Sequence, residues 1–255
     1  MMRILIVEDE DGLRTGLTFN FEQEGFEVLT ATDGAAALEI FRTADPPIDL
    51  VILDLMLPGM SGYDVCTAIR EENHVIPILV LSARTLSEDK MRAFDCGTDQ
   101  YITKPFALPE LINRVKNLME RHRVLLQARR SPPPESSSPT ICQFDGVTVN
   151  LLTFQVVVRG KTYDLTRLEM QLLKYFLENP DRVLSRHEIL ENVWEDSADV
   201  TTRTIDNFVS RLRKLLESDP ARPKMILSVR GTGYRFVPPE PTVNTESKSK
   251  SASES

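Results

Sequence analysis

The first 126 residues alternate short apolar runs with helix-patterned segments five times over, and few architectures accept that rhythm. The apolar runs cover 4–7, 27–31, 50–53, 76–81 and 101–102, and the segments following them cover 12–24, 34–44, 62–72, 86–94 and 109–122. Leu50, Val51, Ile52 and Leu53 are apolar without a break. Such a strand needs cover on both faces, which is the situation of a parallel sheet between helices. The alternation therefore predicts a doubly wound five-stranded parallel sheet. Gly25, Gly34 and Gly97 fall where this scheme needs helix ends or turns.

With 255 residues the chain suits two domains rather than one. Its net charge of −8 argues against a nucleic-acid partner only while the chain is taken whole. Residues 1–126 hold 12 Lys and Arg against 21 Asp and Glu, whereas residues 141–237 hold 14 against 13. The second half is thus not repelled by phosphate. The three cysteines, Cys66, Cys96 and Cys142, form no C-x-x-C pair and suggest neither a disulfide framework nor a zinc site. No apolar run approaches the length of a membrane span, so a cytoplasmic protein with no membrane partner is expected.

In an open α/β sheet, ligands gather where the carboxyl ends of the strands converge. Glu8 and Asp9 end the first apolar run, Asp54 the third and Ser82 the fourth, while Lys104 follows the fifth. Three carboxylates brought together repel one another, so a divalent cation or a shifted protonation has to hold them. An all-oxygen set without histidine or cysteine suits Mg²⁺. A lysine and a hydroxyl facing that set suit the negative oxygens of an incoming phosphoryl group. Singly, each has a plainer explanation: acids at strand ends commonly cap helices or make turns, which is the reading for Asp33 and Asp49. It is the five together, at the ends of four different runs, that point to a phosphoryl site.

The segments V-E-D-E at 7–10, D-L-M-L-P-G-M-S-G at 54–62, L-S-A-R at 81–84 and Y-I-T-K-P-F at 101–106 resemble two-component receiver domains across the whole first half. The resemblance implies that Asp54 accepts a phosphoryl group from a sensor kinase histidine. Mg²⁺ would be held by Asp9, Asp54 and the Met56 carbonyl, with Glu8 acting through water. Lys104 and Ser82 would grip the phosphoryl oxygens, and Tyr101 would swing inward as Ser82 moves. It also implies a homodimer of phosphorylated chains through the fourth helix, fifth strand and fifth helix, using Lys90, Glu110 and Arg114. Gln100 stands where relatives carry the acid that pairs with Arg114, so a weaker dimer is expected.

Residues 127–140 contain the run S-P-P-P-E-S-S-S-P, which sustains neither helix nor sheet and is expected to be a flexible linker. Beyond it, alternating runs at 147–149 and 155–158 with a turn at 160–161 predict antiparallel strands. Thr166 and Glu169 form a capping box opening an apolar helix to 177, and Ser185 with Glu188 open a second helix to 194. From 201 to 217, Ile205, Phe208, Val209, Leu212, Leu215 and Leu216 make one stripe. Arg203, Asn207, Ser210 and Lys214 make the opposite one, with Arg211 on its flank. Three helices followed by 226–229, a Gly231-Thr232-Gly233 turn and 234–237 predict a helix-turn-helix with a hairpin wing.

The segments R-T-I-D-N-F-V-S-R-L-R-K at 203–214 and V-R-G-T-G-Y-R-F at 229–236 resemble the winged-helix effector domain of the OmpR/PhoB family, over about residues 141–238. That implies an α+β domain whose third helix enters the major groove of double-stranded DNA. Arg203, Thr204, Arg211, Arg213 and Lys214 would contact phosphates or bases there, and Arg230 would reach the minor groove from the wing. Phe208 and Ser210 stand where relatives often carry His and Arg, so a different operator sequence is expected. The loop from Trp194 to Thr202 matches one that approaches RNA polymerase. Residues 239–255 are expected to be disordered.

Two other classes compete with a phosphorylation-controlled transcription regulator. A metal-dependent phosphatase with Asp54 as nucleophile needs a second acid two residues on, where this chain has Met56. A DNA-binding protein using its first domain only as a dimer scaffold would not need Glu8, Asp9, Asp54, Ser82 and Lys104 together.

Overall fold

The computed structural model describes residues 1–130, 141–144, 146–194 and 202–239. The first unit runs β1 (Arg3–Val7), α1 (Asp11–Gln23), β2 (Glu27–Ala31), α2 (Gly34–Thr43), β3 (Leu50–Asp54), α3 (Gly62–Glu72), β4 (Ile78–Ser82), α4 (Ser87–Asp95), β5 (Gln100–Thr103) and α5 (Leu108–Arg130). Its strands form one parallel sheet in the order β2-β1-β3-β4-β5, the expected doubly wound arrangement. Side-chain alternation feeds two cores. Ile4, Ile6, Ile52, Leu79 and Leu81 pack with Leu17, Phe21, Leu111 and Val115 on one face. Leu5, Val7, Val51 and Leu53 pack with Ala37, Val65 and Ile69 on the other.

Local capping agrees with the sequence. Asp33 caps α2 by accepting the Ala36 N–H, and Ser61 caps α3. Asp49 accepts the backbone N–H of Arg3 instead of ending in solvent. Gly62 opens α3 directly under β3, where an added Cβ would lie 2.1 Å from the Asp54 carbonyl oxygen.

One boundary differs from expectation. α5 continues to Arg130, so the division between 126 and 127 falls inside a helix. The physical reason is that residues 123–130 are mostly strong helix formers, and the first proline comes at 132. The rest of the expected linker, most of the loop after Trp194 and the tail from 240 onward lie outside the described residues.

The second unit opens with a four-stranded antiparallel sheet of β6 (Ile141–Phe144), β7 (Val147–Asn150), β8 (Gln155–Val158) and β9 (Lys161–Asp164). α6 (Arg167–Glu178) follows its Thr166–Glu169 capping box. Then come β10 (Val183–Ser185), α7 (Arg186–Val193), α8 (Thr202–Leu216), β11 (Ile226–Val229) and β12 (Gly233–Phe236). β11 and β12 pair as the expected hairpin, and β10 joins them in a three-stranded sheet.

The units are docked. α4 packs against α8. Arg129 at the end of α5 reaches Asp164 at 2.7 Å and the Thr153 carbonyl at 2.9 Å. Arg167 donates to the Asp99 carbonyl at 3.1 Å. Asp99 itself is buried, taking Arg70 at 2.9 Å and the Ile78 N–H at 2.9 Å. These contacts lie at the amino end of β5, opposite the edge where the strands' carboxyl ends meet.

Candidate functional site

The carboxyl edge of the sheet collects the predicted polar residues because β1, β3, β4 and β5 run parallel and in register, with Val7 beside Leu53 and Asp54 beside Leu81. Glu8, Asp54 and Ser82 are buried there, while Asp9 is exposed. Each carboxylate of Glu8, Asp9 and Asp54 offers an oxygen within 4.8 Å of the others. Lys104 Nζ donates to Glu8 Oε2 at 2.7 Å and to Asp54 Oδ2 at 2.5 Å. The remaining Asp54 oxygen, Oδ1, takes the Met56 N–H at 2.9 Å. Arg14 ties the loop down through the Glu8 and Asp9 carbonyls.

Burial raises the Glu8 carboxyl above its usual range, against the opposing pull of Lys104. Burial acts downward on Lys104, but its hydrogen bonds to Asp54 and Glu8 outweigh that and raise it. The ammonium therefore stays charged between the two acids. The oxygen-only donor set, with one exposed carboxylate and two buried ones bridged by the Lys104 ammonium, fits a small hard cation such as Mg²⁺.

Ser82 Oγ accepts the Arg84 N–H at 3.3 Å. The Tyr101 ring is already buried, and its hydroxyl donates to the Arg84 carbonyl at 2.8 Å. Arg84 in turn holds Asp89 at 2.8 Å, and Asp89 accepts the Tyr63 hydroxyl at 3.2 Å.

Of the predicted dimer residues, Lys90 is buried, with its ammonium 5.9 Å from the Tyr101 ring centre. Within the chain, Arg114 pairs with Glu110 one turn earlier on α5, at 2.9 Å, an i,i+4 ion pair. Gln100 is itself buried.

On α8, Arg203, Ser210 and Lys214 are exposed, as is Arg230 at the wing turn. Two predicted DNA residues are placed otherwise. Arg213 clasps the wing, donating to the Ile226 carbonyl at 2.6 Å and to Ser228 Oγ at 2.9 Å. Thr204 is buried. Both lie a quarter-turn or more from the outward stripe, where the helix meets its own domain. Phe208 also belongs to the core, stacked edge-on to Trp194 at 5.2 Å. Arg211 lies over the Phe208 ring and faces Asp95 and Glu169, each at 3.5 Å. Sequence reasoning placed Asn207 on the outer stripe but missed its partner: its amide donates to Asp95 Oδ2 at 2.7 Å. A contact across 112 residues leaves no local signal.

Residues 4–116 match the family model described as response regulator receiver domain, and residues 160–236 match transcriptional regulatory protein, C terminal. Sensory transduction protein RegX3 of Mycobacterium tuberculosis is 39% identical over 237 residues, covering 92% of this chain and 99% of the relative. The chain is a response regulator of the OmpR/PhoB family. Alkaline phosphatase synthesis transcriptional regulatory protein SphR of Synechococcus elongatus is 36% identical over 241 residues, covering 92% of this chain and 90% of that one. Among solved structures, a mutant of RitR superposes with a TM-score of 0.66 at 22% identity, over 92% of this response regulator and 99% of that chain, which supports the fold. The response regulator therefore has a receiver and a DNA-binding domain and acts in transcription regulation. Its relatives carry the names of regulators. No helix among the described residues is long and apolar enough to cross a membrane.

Proposed function

We propose that Asp54 is the phosphoryl acceptor and that its modification controls DNA binding by the second domain. The observation carrying this reading is the Lys104 ammonium held between Asp54 and Glu8 beside the exposed Asp9. Asp54 Oδ would attack the phosphorus of a kinase phosphohistidine; the P–N bond breaks as the P–O bond forms, and the leaving imidazole takes up a proton. Glu8, Asp9, Asp54 and the Met56 carbonyl would hold Mg²⁺, which supplies neutralisation of the phosphoryl charge. Lys104 would transfer its hydrogen bond from Asp54 to a phosphoryl oxygen, and Ser82 would donate to another. Tyr101 then fixes the new position of the loop through Arg84. Phosphorylated chains would pair through the α4, β5 and α5 face that carries Lys90, Glu110 and Arg114. DNA would be met by Arg203, Lys214 and Arg230, with Arg211 once it leaves Asp95. The cytoplasm, where the DNA is, is the compartment this reading assumes.

The test is to treat wild type and Asp54→Ala with Mg²⁺ and acetyl phosphate, then measure intact mass and molar mass in solution. Wild type alone should gain a phosphoryl group and shift toward a dimer. Equal modification of both proteins, or of neither, would overturn the assignment of Asp54.

A further inference from the structure

We infer that the cavity between the second half of α5 and the loop joining β7 to β8 binds a small organic anion, a compact apolar body carrying one carboxylate. The cavity measures about 280 Å³ and draws its walls from both domains. The receiver supplies Pro77, Leu118 and Leu125, and the effector supplies Leu151 and Phe154. Val124 and Leu152 also line it while staying 47% and 42% exposed, large apolar side chains that neither domain covers. An apolar concavity at a domain boundary, with a few polar groups converging on it, is the usual setting of a small-molecule site.

The polar group that most needs a ligand is His122. Its ring lines the cavity but is only 6% exposed, and Nδ1 is buried with no hydrogen-bond partner among the described residues. A buried nitrogen with nothing to bond is unfavourable, and a ligand group that reaches the ring relieves it. Flipping the imidazole exchanges its nitrogen and carbon positions without moving the backbone, so a nitrogen can be turned to the cavity. Burial lowers this imidazole and favours the neutral ring, which has one nitrogen to donate and one to accept.

The charges around the cavity select an anion. Both acids there are already engaged: Asp99 takes Arg70 at 2.9 Å and the Ile78 N–H at 2.9 Å, and Glu120 takes Arg123 at 2.7 Å. Arg167 donates to the Asp99 carbonyl at 3.1 Å and to Gln171 at 2.9 Å. Arg121, exposed and one residue before His122, forms no salt bridge with another described residue. Its guanidinium and the neighbouring imidazole are the donors placed to receive a carboxylate, and the planar guanidinium fork matches two carboxylate oxygens. An ammonium ligand would meet only acids that already hold arginines.

The site is separate from the phosphoryl edge. Pro77 precedes β4 and Asp99 precedes β5, so the cavity lies at the amino ends of strands whose opposite ends lead to Ser82 and Lys104. Its occupancy neither needs nor blocks Asp54.

The experiment titrates full-length protein by isothermal calorimetry with cinnamate, beside its neutral and cationic counterparts, cinnamamide and cinnamylamine. Cinnamate should bind one per chain with a Kd below about 1 mM and roughly tenfold more tightly than the amide, while the amine should not bind. His122→Leu should weaken cinnamate roughly tenfold, the scale of a hydrogen bond to a charged group, and Arg121→Ala roughly threefold, the scale of an exposed ion pair. Asp54→Ala should bind as wild type does, and so should Lys224→Ala, which removes an exposed cation of the effector. If His122→Leu does not fold, the comparison of Arg121→Ala with Lys224→Ala decides. Equal affinity for acid, amide and amine would mean unspecific apolar adsorption, and equal losses in Arg121→Ala and Lys224→Ala would mean a net-charge effect. Loss of binding in Asp54→Ala would put the probe at the opposite edge of the sheet. Each of these results overturns the inference, as does the absence of binding.

Discussion

Gly62 shows how tightly the site is built. A methyl group there would strike the Asp54 carbonyl and the Leu55 Cα, both backbone atoms that cannot swing aside. Gly62→Ala should cost about 3 kcal/mol, at the upper end for overpacking, measured by urea denaturation, and should lower the rate of phosphoryl uptake by moving Asp54. His122 on α5 carries a pH dependence. Burial lowers its imidazole, with Asp49 and Asp99 acting upward and Arg129 and Arg70 downward. Below about pH 6.5 the unfolded chain accepts a proton that the folded chain resists, so this stabilisation is whole above that pH and is lost as pH falls beneath it. The urea midpoint should decline between about pH 7 and 5.5 in wild type, and less steeply in His122→Leu. The receiver residues stood out in sequence because together they end four different apolar runs. His122 was not, since its burial comes from tertiary packing.

At the scale of elements, periodicity located all five receiver strands and the three helices of the effector. It failed where an outcome depends on what an element meets. Arg213 has the same helical spacing and charge as a DNA contact, yet Tyr234, with its hydroxyl on Asp206 at 2.6 Å, and the carbonyl of Ile226 draw it to the wing. Arg213→Ala should destabilise the effector by about 2 kcal/mol, through lost charge-assisted hydrogen bonds, as read from the unfolding midpoint. Arg203→Ala should leave that midpoint unchanged, within about 0.5 kcal/mol, and weaken DNA binding instead. The end of α5 was misjudged because the boundary was placed on the proline-rich run's upstream flank, where the residues still favour helix.

At the scale of the molecule, polar ties among the described residues join the halves: Arg129 to Asp164 and Thr153, Arg167 to Asp99, and Asp95 to α8. The first two do not touch α8. Replacing Arg129 and Arg167 together by alanine should increase the radius of gyration of the unphosphorylated chain in small-angle scattering, whereas either single change should have a smaller effect. None of the three pairs was visible in the sequence, because complementary residues 24–116 positions apart obey no period.

Only ten residues separate Arg130 from Ile141, the last of α5 and the first of the effector sheet. So short a connection keeps Asp95 and α8 at a mutual effective concentration of about millimolar, whatever the dilution of the protein. A contact too weak to detect between separate domains can then be populated in the joined chain, and how often it forms follows from the length of that connection and not from how much protein is present.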